Sequence, residues 1–331
     1  MVRSQLFRGS EPIPRRACVM SMADDAPIDA AAPLTFMGAP FVARVPPQSR
    51  AVIGGLPFDA GQHASRLGSR LGPRSVREQS IQLRAVDPDS DCDVLAALGL
   101  VDVGDARVQH GDLDASQRAI ADFAGTLVDT NAVPVMIGGD GSVTLPLLRA
   151  VSRRYPELAV VHLDAHTDAY PLVGNAGPAA FHRAVESQLL DPTASFHIGL
   201  RGPVSSTGLY AHARQLGYQL ITIAQLLDRG IAAIFDEVSL QLGDRPVYIC
   251  WDMDFFDPSV APGVITPSWE GVTAREGLQV ARSLRRLNIV AIDVNCVSPL
   301  HDAAGLAAFL CARIIFEFLV GLATSHRASE R

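Results

Sequence analysis

The feature that most constrains this chain is an alternation. Eight short runs rich in Val and Ile, at residues 51–54, 100–103, 133–137, 158–163, 196–198, 219–223, 246–251 and 289–292, are separated by longer stretches of helical character. Helical candidates follow Gly72-Pro73 and occupy 115–130, 143–154, 181–190, 223–229, 230–242 and 274–287. Short apolar runs bounded by turn residues suit strands buried on both faces. Repeated strand–helix alternation then implies an α/β fold: a parallel sheet with right-handed crossovers and helices on both sides. No internal repeat or linker divides residues 49–331, which read as one domain. Residues 1–48 are rich in Pro, Ala, Arg and Asp and show no sustained period, so they read as a loosely ordered N-terminal arm.

In open parallel sheets ligands gather just beyond the carboxyl ends of strands. The run 158–163 ends in Asp164-Ala165-His166-Thr167-Asp168, and the run 246–251 ends in Asp252-Met253-Asp254 followed by Asp257-Pro258. Extended chain puts residues i, i+2 and i+4 on one side. Asp164, His166 and Asp168 can therefore face a cavity shared with Asp252 and Asp254. Crowded carboxylates repel one another and take up protons unless a cation neutralises them. Oxygen and imidazole ligands without thiolate favour Mn²⁺-type metals over structural zinc. Asp257, before a proline, reads as a turn residue.

Composition narrows the alternatives. Hydrophobic residues make up 48% of the chain, enough for a large core, which excludes a mostly disordered protein. Lys and Arg total 28 against 35 Asp and Glu, a net charge of −7, with 6% aromatics. No nucleic-acid partner is expected from a chain without basic runs or stacking platforms. Five cysteines, an odd number without a CxxC spacing, read as reduced thiols and a cytoplasmic location. The apolar stretch 305–323 carries Arg313 and Glu317 four residues apart, so it reads as a core helix and no membrane partner is expected.

Several segments together resemble the ureohydrolase (arginase/agmatinase) family, closest to its agmatinase branch: Gly55-Leu56-Pro57-Phe58-Asp59, residues 68–80, Val101-Asp102-Val103-Gly104-Asp105, and residues 137–148 opening Ile137-Gly138-Gly139-Asp140. The others are DAHTD at 164–168, His197-Ile198-Gly199-Leu200-Arg201, WDMDFFDP at 251–258, Ala261-Pro262-Gly263, Thr266-Pro267 and the closing 293–299. The resemblance implies a three-layer α/β/α sandwich with a mostly parallel eight-stranded sheet, as in arginases and deacetylases, assembled as a homo-oligomer (trimer or hexamer). It also implies two Mn²⁺ ions and a hydroxide between them that attacks the guanidinium carbon of a small-molecule substrate, giving urea and an amine. On that pattern Asp164 and Asp252 bridge both metals, Asp168 serves the first, and His166 and Asp254 serve the second.

Three positions depart from the family pattern. Where relatives carry Gly-Gly-Asp-His-Ser, with the His a ligand of the first metal, this chain has Gly141; the first site is weakened, and one or two Mn²⁺ per chain are expected. The loop at 171–180 lacks the family's proton-shuttling His, leaving His182 as the nearest replacement. Cys296 stands where agmatinase-like chains place a Glu that pairs with the guanidinium, and a thiol cannot form that bidentate charge-assisted pair. Val264 and Ile265 make the wall before Thr266 more apolar, with Thr266 and Cys296 the expected substrate contacts. Two functions follow: a divergent agmatinase-like hydrolase of a linear C–N bond in a guanidino or related amidine compound, or a catalytically impaired homologue serving as a structural or regulatory subunit.

Overall fold

The computed structural model describes residues 33–59, 66–171 and 179–325. Eight strands form one parallel sheet: β1 (Ala51–Gly55), β2 (Val101–Asp105), β3 (Val133–Ile137), β4 (Ala159–Leu163), β5 (Phe196–Leu200), β6 (Gln219–Thr222), β7 (Val247–Asp252) and β8 (Ile289–Asn295). Their spatial order is β2-β1-β3-β8-β7-β4-β5-β6. A two-stranded antiparallel ribbon, Val86–Asp87 with Cys92–Asp93, lies outside this sheet.

The strands form where they do because both faces are covered. Along β4, Ala159, Val161 and Leu163 enter one core while Val160 enters the other. Along β7, Val247, Ile249 and Trp251 alternate in the same way with Tyr248 and Cys250. The first core is closed by helices Gly72–Ser80, Val94–Leu98, Ile223–Arg229, Ile231–Leu242, Ala274–Leu284 and Leu306–Thr324, the second by Leu113–Val128, Thr144–Ser152, Ala180–Glu186 and Leu209–Gln215. Each large side chain fully buried here contributes roughly 1.5–3 kcal/mol. Helix starts are set locally: Thr273 and Glu276 form a capping box, as do Thr222 and Gln225, and Asp112 caps with its carboxylate.

The Ala303–Thr324 segment is the one helix among the described residues long and apolar enough to cross a membrane, and it is mostly buried in the protein. Its Glu317 is 1% exposed and ion-paired to Arg282, Arg285 and Arg313, which fits a core helix. The expected arm needs an earlier boundary. From Leu34 the chain belongs to the compact unit: Phe36 is fully buried, its N–H donates to Asp102 Oδ2 at 2.9 Å, and Phe41 bridges Asp102. Residues 1–32 of the expected arm lie outside the described residues.

Register positions the chemistry. Leu163 of β4 sits opposite Trp251 of β7, and Asp252 sits opposite Asn295 of β8. The residues that follow β4 and close β7 therefore emerge side by side at the carboxyl edge.

Candidate metal centre

Asp164, His166 and Asp254 offer ligand atoms that all lie within 4.8 Å of one another, and all three residues are buried or nearly so. His166 Nδ1 stands 3.1 Å from Asp164 Oδ1 and 3.1 Å from Asp254 Oδ2. Backbone N–H groups fix the carboxylates. His166 N donates to Asp164 Oδ1 at 2.5 Å, Ala165 N to Asp254 Oδ1 at 3.1 Å, and Asp254 N to Asp252 Oδ1 at 2.7 Å. The last bond arises because the chain turns into a short 3-10 helix, Met253–Phe255, directly after β7.

Asp252 is 4% exposed and bound to the cluster through that N–H. Asp168 is 7% exposed but outside the 4.8 Å set. Its backbone has φ +44°, so the chain has left the extended form by that point. The backbone around Gly139 frames the opposite side. A Cβ there would fall 1.7 Å from Phe58 O, so only glycine fits. Gly141 opens a 3-10 turn, Gly141–Val143, capped by the Asp140 carboxylate. Cys296, with φ +67° and 1% exposure, donates its N–H to Gly139 O at 2.7 Å.

The electrostatics are those of too many anions in too little water. Burial, then the charges of Asp254 and Asp164, push the Asp252 carboxyl well up. Burial and Asp164 push Asp254 up to about 6, against the pull of His166. Burial works against a charged His166, but Asp254 and Asp164 outweigh it and push the imidazole far up. Burial would raise Asp164 too, yet His162 and then His166 hold it below the usual carboxylate range. Burial, reinforced by Asp252 and Asp254, pushes the Cys296 thiol well up, so it stays neutral.

The remaining expected site residues fall elsewhere. His182 places Nδ1 2.9 Å from His212 Nε2 and Nε2 3.4 Å from Glu186, its ring stacked on His212; its nitrogens face these groups rather than the carboxylates. Of the loop expected to lack a shuttling His, residues 172–178 lie outside the described residues. Thr266 is half-buried on the loop after Val264, which bridges Val297. Asp257 accepts from Ser259 N and Gly271 N, the turn role expected of it.

Two buried partners escaped a residue-by-residue reading. His162 Nε2 stands 2.9 Å from Asp164 Oδ2. Arg201, 6% exposed, donates to the carbonyls of Gly199, Asp254, Phe256, Ser268 and Trp269, tying the turn that carries Asp254 to the 268–269 loop. A buried Arg with only carbonyl partners has no sequence signature. The His162-x-Asp164 spacing on a strand was the available signal for the other.

Comparison with known proteins agrees with this geometry. The guanidinopropionase of Pseudomonas aeruginosa is 37% identical over 308 residues, spanning 90% of this chain and 96% of the relative. The mitochondrial agmatinase of Gallus gallus is 34% identical over 270 residues, 80% of this chain and 78% of the relative. The solved proclavaminate amidinohydrolase of Streptomyces clavuligerus superposes with a TM-score of 0.83 at 34% identity, covering 88% of this chain and 98% of that one. The arginase-family model matches residues 49–321, the whole sheet and the carboxylate cluster with it, and the chain belongs to the arginase family.

Proposed function

We propose that this protein is a divalent-metal-dependent hydrolase that cleaves a linear C–N bond of a guanidino or related amidine compound, releasing an amine with urea from a guanidino group or with the corresponding amide from another amidine. The observation that carries this reading is the convergence of Asp164, His166 and Asp254 within 4.8 Å at the carboxyl edge of the sheet. The donors fit a Mn²⁺-type cation. They are oxygen and imidazole, and the upward push on Asp252 and Asp254 is the cost of packing anions without a counter-charge. When bound, the metal would activate water and polarise the amidine carbon. Asp164, His166, Asp252 and Asp254 would hold it, with Asp168 reaching a weaker first position that has Gly141 in place of an imidazole.

The protein's own residues do the rest. The buried carboxylates set a negative field that draws in a cationic amidine. Cys296 keeps its proton, so the substrate meets a neutral wall there, with buried Val264 and Ile265 beyond. That wall favours an amidine less basic than an alkylguanidinium. Relatives named for guanidino-acid and amidino hydrolysis support the broader class of guanidino and amidine substrates. A homo-oligomer in a reducing, cytoplasmic compartment completes the reading.

The test is urea release by the Mn²⁺-loaded protein from agmatine, arginine, guanidinobutyrate, guanidinopropionate, guanidine and hydroxyguanidine. Urea formation that is lost on chelation and in Asp254→Asn supports the proposal. Gly141 and Cys296 favour a second reading, a non-catalytic subunit. It gains support if wild type releases no urea from any of these while Gly141→His combined with Cys296→Glu does.

A further inference from the structure

Parallel strands in register place whole rows of side chains side by side, and the row directly beneath the carboxylate cluster is polar. His162 of β4 sits opposite His197 of β5 on one side and Cys250 of β7 on the other, and Cys250 sits opposite Asp293 of β8. Each of these four residues is 1% exposed or less. Burying two imidazoles in a sheet interior is costly unless their nitrogens are used. His162 uses both: Nε2 meets Asp164 Oδ2 at 2.9 Å and Nδ1 meets His197 Nδ1 at 2.8 Å.

With Asp164 as the acceptor, Nε2 of His162 carries a hydrogen, and the Nδ1–Nδ1 contact takes a single hydrogen between the two rings. The rings cannot swing away. Phe181 lies 4.5 Å from the His162 ring and 4.9 Å from that of His197, Tyr218 lies 4.4 Å from His197, and Tyr218 OH donates to Phe181 O at 2.9 Å. Asp164 is thus gripped at both oxygens, Oδ1 by the His166 N–H and Oδ2 by His162.

We propose that His162, locked in place by His197, is a positioning residue that fixes the Asp164 carboxylate for metal binding. The inference rests on the metal-site reading above. A carboxylate free to rotate must be ordered when the cation arrives, whereas one gripped at both oxygens is already in place. Partners of this kind behind metal ligands are worth about 10- to 100-fold in metal affinity.

Two substitutions at one position separate this role from simple core filling. In His162→Gln the terminal amide reaches where Nε2 stood and still donates to Asp164; in His162→Asn the amide is too short to reach. Mn²⁺ affinity and stoichiometry are measured by calorimetry on wild type, both variants and His197→Phe, with folding checked by circular dichroism. The expected result is about 10- to 100-fold weaker binding for His162→Asn, near-wild-type binding for His162→Gln, and an intermediate loss for His197→Phe. Should His162→Asn fail to fold, the comparison of His162→Gln with His197→Phe carries the same contrast. Equal Mn²⁺ affinity across all folded variants overturns the inference while leaving the site reading intact. A wild-type protein that binds no Mn²⁺ overturns both.

Discussion

Metal binding at this cluster is expected to expel protons, and the pH dependence of Mn²⁺ affinity measures how many. In the metal-free protein the His166 imidazole sits 3.1 Å from both Asp164 and Asp254 and is pushed far up, so it occupies, as imidazolium, the place of a cation. A ligating His must be neutral, so its proton leaves when the metal arrives. Asp254, at about 6, is mostly ionised at pH 7 and protonated below 6. Protons therefore compete with the metal, and affinity rises with pH. The expected slope is at least one proton, tenfold or about 1.4 kcal/mol, per pH unit between 6.5 and 7.5. It steepens as Asp254 protonates in turn, approaching two protons, about a hundredfold per unit, near pH 5. Asp252, also pushed up, adds to both limbs and cannot flatten either. Titration calorimetry in buffers of unlike ionisation enthalpy counts the protons directly. An affinity that stays flat from pH 6.5 to 7.5, with no proton released, would show that the imidazole does not stand in for the cation.

Two further substitutions test the scaffold. Arg201→Lys leaves three donors for five carbonyls, so we expect a loss of about 2 kcal/mol in denaturant unfolding, together with weaker Mn²⁺ binding through the loosened Asp254 turn. Glu317→Gln strands three guanidinia around a neutral amide. These are a quarter to a half exposed and can rehydrate, so the expected loss in urea unfolding is about 2 kcal/mol, below the full cost of breaking a buried pair.

The sheet was legible because strands buried on both faces read as continuous apolar runs, and all eight runs became strands. Two short helices, Val94–Leu98 and Leu209–Gln215, were not read, being too brief to show a period. At the site, Asp164, His166 and Asp254 converge, but not through extended alternation. Strand β4 ends at Leu163 and residues 253–255 turn, so backbone N–H bonds rather than pleat geometry aim the carboxylates. The His162–His197 contact is lateral, between residues 35 apart on neighbouring strands, and no local spacing encodes it.

The structure also ties Gly141 to Cys296, 155 positions apart in the chain. Gly138 N donates to Val294 O at 2.7 Å and Cys296 N donates to Gly139 O at 2.7 Å, so the loop before Gly141 and the end of β8 are one hydrogen-bonded unit. Both residues lie on the β3–β8 side of the cluster, while Asp164, His166, Asp252 and Asp254 lie on the β4–β7 side. Changing one position alone leaves the other neutral: an imidazole at 141 without a carboxylate at 296 gains a metal ligand but no guanidinium anchor, and the reverse variant adds a carboxylate beside Asp252 with no added ligand to offset it. Gly141→His and Cys296→Glu are therefore expected to be strongly non-additive. Cys296→Glu alone lowers stability through like-charge repulsion, and the pair together recovers stability and raises second-equivalent Mn²⁺ binding beyond the sum of the single effects. A double-mutant cycle in Mn²⁺ stoichiometry and melting temperature measures the coupling. Additive single effects would mean that the shared backbone unit does not link the two positions.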